Sequence, residues 1–151
     1  MILEAHGLRI ELPARWSGHI FSRAGGIAAL HAGDFALALG DNGSFGDAST
    51  SAMPPGASFL ALIEYLSGSG LKPGAGLFTP SRIPLALDAG SFTASRLVHP
   101  RPGQVGTQHF FAASRRPFCL YVVIAGDRAT RRRQLLAVDH VLGSLRITPR
   151  E

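Results

Sequence analysis

Glu64 is the residue of this chain whose setting most calls for a chemical explanation. It interrupts the apolar run 59–66, and a carboxylate among apolar neighbours needs a cationic partner such as an arginine. Such a group can serve as a catalytic acid, but a structural ion pair or a strand-edge position is the plainer reading. His109 stands beside Phe110 and Phe111, where it reads as a half-buried, hydrogen-bonded histidine rather than a general base. Together with Tyr121, these two residues mark the place where a pocket between sheet and loops would take a small molecule.

Other chemistries find less support. Cys119 lies inside the apolar run 118–124, a setting in which a thiol behaves as a small inert hydrophobe. No Gly-x-Ser-x-Gly elbow is present. The six histidines (His6, His19, His31, His99, His109 and His140) include no pair at i, i+4 spacing, so no helical metal site is written in the sequence. One cysteine excludes an intramolecular disulfide and a cysteine zinc site. Asp41-Asn42-Gly43 with Asp47 lacks the alternating ligands and closing glutamate of a calcium loop and reads as an Asn-Gly turn. Gly68, Gly70, Gly74 and Gly76 make a glycine-rich turn without the Gly-Lys-Ser/Thr or βαβ context of a phosphate cradle. No cofactor is expected.

The arginines are the strongest binding feature. Arg131, Arg132 and Arg133, with Arg128 just before them, open a helical pattern. Cations there oppose the helix macrodipole, at about 0.3–1 kcal/mol for each well-placed charge. Cations kept in an unfavourable place point to an acidic partner, a phosphate or nucleic acid. The plainer reading is a solvated face. Arg115 and Arg116 in a turn add to the same basic half. Residues 1–95 carry five basic and seven acidic side chains, whereas residues 96–151 carry ten basic and three acidic ones. Fourteen of the fifteen basic residues are arginine, a ratio that reads as GC-rich coding, so the location of the charge says more than its type. No aromatic residues interleave with the 128–133 cluster, which weakens a nucleic-acid reading because stacking platforms are absent.

The elements that must position these residues follow from periodicity. Residues 8–12 alternate apolar with charged, as a half-buried strand does. Pro13 ends it, 14–16 turn, and Gly25-Gly26 precede the short apolar runs 27–31 and 34–39. Residues 40–58 and 67–76 read as loops, 59–66 as a strand, and 77–107 as proline-broken loops with one helical turn near 91–96. Strands over 108–113 and 117–124 join through the tight turn Ser114-Arg115-Arg116. The second of these is apolar on both faces, so both must be covered. Leu135, Val138, Val141, Leu142 and Leu145 form one stripe of a helix over 130–145, the natural cover. One antiparallel sheet with this helix on one face, an α+β fold, is expected.

The bulk composition agrees. At 151 residues, with 46% hydrophobic and 17% charged residues, the chain has the length of a single domain of roughly 150 residues and is too apolar for disorder. No stretch approaches the roughly 18 apolar residues of a membrane helix, and no signal-peptide pattern opens the chain. A cytoplasmic location without membrane contact is therefore expected.

Residues 7–16, Gly-Leu-Arg-Ile-Glu-Leu-Pro-Ala-Arg-Trp, resemble the opening strand and turn of the PsbP-like superfamily. Residues 118–124, followed by a helix closing in Val141-Leu142-Gly143-Ser144-Leu145-Arg146, are similar to its penultimate strand and final helix. The likeness covers the two ends and not residues 31–107, and the composition resembles that of a high-GC actinobacterial protein. It implies an α/β/α sandwich acting as a binding or accessory module. The reading is a non-catalytic interaction domain for a protein partner, bound through Arg128, Arg131, Arg132 and Arg133 and the Arg115-Arg116 turn. A small-molecule protein or small enzyme using Glu64, His109 and Tyr121 is the first alternative. A weak nucleic-acid binder using the C-terminal arginines is the second.

Overall fold

The computed structural model describes residues 1–38, 40–41, 43–66 and 72–150. The chain runs β1 (Ile2–Ala5), β2 (Leu8–Glu11), β3 (Ser17–Ser22), β4 (Ala28–Gly33), α1 (Asp47–Ser51), β5 (Ser58–Glu64), β6 (Gln104–Ala113), β7 (Arg116–Ala125), α2 (Arg128–Gly143) and β8 (Arg146–Ile147). The fold is α+β and antiparallel, with the C-terminal helix packed on the strands as expected. It holds two sheets instead of one: β3-β4-β5-β7-β6 and β1-β2-β8. The reason lies in β2. Leu8 and Ile10 are buried while Arg9 and Glu11 are not, so this strand lays one apolar face across the larger sheet instead of extending it.

β5 and β7 are buried along their whole length, and the two faces they present are covered differently. On one face Leu60, Leu62, Phe118, Leu120, Val122 and Ile124 meet Leu8 and Ile10 of β2 and Leu135, Val138, Val141 and Leu142 of α2. Full burial of each such side chain stabilises the fold by about 1.5–3 kcal/mol relative to exposure. The helix stripe is as expected for Leu135, Val138, Val141 and Leu142, whereas Leu145 joins the same core from beyond the end of α2 at Gly143; α2 shares this face with the small sheet. On the other face Phe59, Ala61, Ile63, Tyr121 and Val123 lie under Leu97, Phe35, Leu37, Phe45 and Met53. Phe45, Met53 and Leu97 of that cover come from segments expected to be loops, and Phe35 and Leu37 from the short apolar run 34–39.

The segment 40–58 contains α1, which propensity does not announce. Its Asp-Ala-Ser-Thr-Ser sequence is a poor helix former, and five residues are too few to be stable alone. Tertiary contacts hold it: the Asp41 carboxylate accepts the Ser49 N–H at 2.9 Å, and Gly46 before it adopts φ 66° against the Phe59 ring.

Other boundaries moved for identifiable reasons. The β6–β7 turn consists of Ser114 and Arg115, at φ 51° and 62°, as a two-residue hairpin turn with right-handed strand twist requires. Arg116 belongs to β7, opposite Ala113. β6 begins at Gln104, because Gly106 exchanges backbone hydrogen bonds with Thr93 at the sheet edge. α2 begins at Arg128 because Asp127 caps it, its carboxylate accepting the Ala129 N–H at 3.1 Å. The helical turn expected near 91–96 resolves into 3-10 turns over 89–91 and 94–96, with a third over 76–78. Asn42 of the Asn-Gly turn and residues 67–71 of the glycine-rich turn lie outside the described residues.

Gly46→Ala is expected to destabilise the fold by about 1–3 kcal/mol, since the position demands positive φ and a Cβ would overlap the Phe59 ring. Urea unfolding of the variant checks this.

Candidate functional site

Glu64 and Arg116 form a buried ion pair. Glu64 ends β5 and faces Phe118 of β7, two residues along from Arg116; their side chains are 1% and 4% exposed. Arg116 Nε donates to Glu64 Oε2 and Nη2 to Oε1, both at 2.9 Å, a bidentate pairing suited to a carboxylate. Its remaining bonds go to backbone: Nη1 donates to the Thr148 carbonyl and Nη2 to that of His6, both at 3.0 Å. Ala28 N–H at 2.8 Å and Arg150 Nε at 2.9 Å complete the carboxylate, and Arg150 Nη2 lies 2.7 Å from Oε1. Burial opposes ionisation of Glu64, but the bonds from Arg116, Ala28 and Arg150 outweigh it, and the acid is held below its ordinary range. This is the structural ion pair of the plainer sequence reading.

Arg116 is therefore no part of the exposed face offered to a protein partner: burial and four donated hydrogen bonds hold it in place. The remaining arginines fall into two separate groups. Arg115 lies in the turn before β7, whereas Arg128, Arg131, Arg132 and Arg133 follow its far end. Ten strand residues set these ends about 30 Å apart. One surface that uses both groups, as the sequence reading supposed, is not formed by neighbouring residues. On α2 itself Arg128, Arg132 and Arg133 are exposed and Arg131 is half-buried.

Glu64, His109 and Tyr121 do not converge. His109 on β6 faces Leu120, and β7 lies between it and β5. Tyr121 points to the opposite face of β7, and its hydroxyl accepts the Val98 N–H at 3.0 Å. A cavity of about 350 Å³ beside Ile63, Glu64 and Tyr65 is lined by Arg23, Ile27 and Phe45 and by neither of the other two residues. Burial lowers the pKa of His109, with the charge of Arg96 adding to the effect. Burial also pushes the Cys119 thiol and the Tyr65 hydroxyl up to about 12, so neither ionises near neutrality.

Two clusters escaped the sequence reading. His19 and His31 are cross-strand partners in the β3–β4 hairpin, with rings 5.4 Å apart. The turn at Gly25-Gly26 contained this register, since residues equidistant from a hairpin turn face each other. His31 is fully buried against Phe21 and Phe59. Its Nε2–H donates to the Ser44 carbonyl at 3.2 Å, and Nδ1 has no partner among the described residues. Desolvation lowers its pKa against the opposing influence of Ser44 and Asp41. In the second cluster Arg101 bonds Asp47 and donates from Nη1 to Thr50 Oγ1 at 3.0 Å, while His99 Nδ1 sits 3.6 Å from Asp47. This ties α1 to the segment before β6; no spacing in the sequence announces it. Among the described residues, no three His, Cys, Asp or Glu side chains group to hold a metal ion.

Comparison with protein-family models, with curated proteins and with solved structures finds no match for this chain.

Replacing Arg116 with alanine is expected to cost about 3–5 kcal/mol, because it strands a buried carboxylate. Arg150→Ala, removing a half-exposed partner, costs at most about 1 kcal/mol. Chemical denaturation of both variants checks the contrast. A second expectation concerns pH. The unfolded chain protonates His31 near 6.5, while the folded chain resists the proton, so stability falls as pH drops below that value. His109 acts in the same direction. The contribution of Glu64 is present above about 4.5 and is lost as pH falls through its lowered folded value. The urea midpoint should decline between pH 7 and pH 5.5, and less steeply in His31→Phe.

Proposed function

We propose that this chain is a non-catalytic, cytoplasmic accessory domain that binds an acidic surface of a protein partner through the outer face of α2. The observation that carries the reading is a cationic face with nothing of its own to neutralise it. Arg128, Arg132 and Arg133 are exposed, and among the described residues none of them ion-pairs with a carboxylate. Leu136, one turn beyond Arg132 and 63% exposed, gives the same face an apolar contact point. Exposed cations around such a point steer an acidic partner toward it and set selectivity, while the apolar side chain adds burial when the partner arrives. GC-rich coding explains arginine in place of lysine; it does not explain the clustering on one helix face.

The state of the ionisable groups favours binding over catalysis. Glu64 is ionised with both oxygens occupied, so it has no proton to give. Cys119 and Tyr65 hold theirs far above neutral pH. The likeness of the two chain ends to the PsbP-like superfamily supports the same reading, since its domains mostly serve as accessory modules. Among the described residues no helix is long and apolar enough to cross a membrane.

The test is affinity capture with the whole chain as bait, with and without nuclease, beside the variant R132E/R133E. A stoichiometric protein held in both nuclease arms, and reduced at least tenfold by the folded variant, is the expected result. Retention unchanged by the charge reversal would remove α2 from the interface. Loss of the captured material on nuclease treatment would make nucleic acid the ligand.

A further inference from the structure

A cleft of about 700 Å³ opens at the other end of the molecule, between the β1–β2 turn and the C-terminal segment. Four guanidinium groups line it: Arg9, Arg116, Arg146 and Arg150. Among the described residues only two carboxylates bond to them, Glu4 at 3.5 Å from Arg9 and Glu64 shared by Arg116 and Arg150. Counted over those described residues, the cleft carries an excess of two positive charges.

The excess is concentrated by strand register. Arg9 of β2 and Arg146 of β8 are direct cross-strand partners, with Cα atoms about 4.5–5.5 Å apart and side chains on one face. Like charges in that relation destabilise a sheet. Arg146 has no carboxylate partner among the described residues; its Nη1 donates to the Gly143 and Leu145 carbonyls at 2.9 and 2.8 Å. Beneath them Arg116 is fixed by its buried bonds and passes under Gly7, where a Cβ would overlap its Nη1. A rigid buried cation thus lies below a pair of cations held together by backbone pairing.

We propose that this cleft binds the dianionic phosphate group of a small phosphorylated molecule. A phosphate monoester concentrates nearly two negative charges and three acceptor oxygens in one group, which matches the excess charge and the planar donor forks of arginine. The volume falls in the range of small-ligand sites, so the cleft has room for the rest of such a molecule. The site is separate from the outer face of α2 near Arg132 and Arg133, and neither proposal depends on the other.

Phenyl phosphate and benzenesulfonate, a monoanion of similar shape, are the probes, titrated into the whole chain and followed by the amide resonances of Gly7 and Gly26. Phenyl phosphate should shift both resonances saturably and bind at least tenfold more tightly than benzenesulfonate. R9Q and R146Q, both altered at exposed or half-buried rim positions, should each weaken it about tenfold, the scale of one charge-assisted hydrogen bond. R132E/R133E should leave it unchanged. Absence of saturable shifts, equal binding of benzenesulfonate, tighter binding of succinate, or an unaltered affinity in R146Q would each overturn the proposal.

Discussion

A carboxylate buried at the end of a central strand governs the arrangement of this molecule. Once Glu64 leaves water it must be met by charge and hydrogen bonds, because an uncompensated buried ion costs several kcal/mol. Meeting it brings five segments to one point: β5, which carries it; β7, which supplies Arg116; Ala28 of β4; the His6 carbonyl in the β1–β2 turn; and Thr148 and Arg150 beyond β8. These contacts tie the small sheet and the C-terminal segment to the large sheet. They also select register, since a one-residue slip of β5 against β7 would turn Glu64 to the opposite face. The Arg116 guanidinium stacks 5.3 Å from the Phe118 ring, so the same side chain closes the apolar core beneath the ion pair.

That constraint sorts the charges of the chain. Arg116 is drawn inside and serves the fold. Arg128, Arg132 and Arg133 of α2 sit at the far end of β7, on a helix whose other face is used in packing, and are left with solvent. Arg9 and Arg146 are brought side by side by the pairing that completes the small sheet. Two cationic regions with different chemistry result: an outer helix face with an exposed leucine, and a recessed cleft with a rigid arginine floor.

The same accounting explains the histidines. His31 is buried because β4 lies inside the large sheet, where Phe21 and Phe59 flank its ring and Ser44 meets its outer nitrogen. Its hydrogen bond to Ser44 leaves the second ring nitrogen without a partner among the described residues, and burial disfavours the charged form, so the neutral form is the one the fold accepts. The cover of the second sheet face thus rests partly on a neutral histidine, while the first face is held by α2 and β2.

Several features were legible because they rest on local periodicity. The alternation of 8–12, the doubly apolar run 118–124 and the spacing of Leu135, Val138, Val141 and Leu142 each correspond to an observed element, and together they required an antiparallel α+β fold with its last helix on the strands. The need of Glu64 for an arginine also followed from its apolar surroundings. Which arginine answers that need did not, because Arg116 is 52 residues away and reaches Glu64 only through the β5–β7 register. Likewise α1 is held by Asp41, Phe59 and Arg101, none of which belongs to the helix, and the split into two sheets depends on which face β2 must bury. Long-range pairing decides such matters: side-chain type states what a residue requires, and only the folded neighbours determine what meets it.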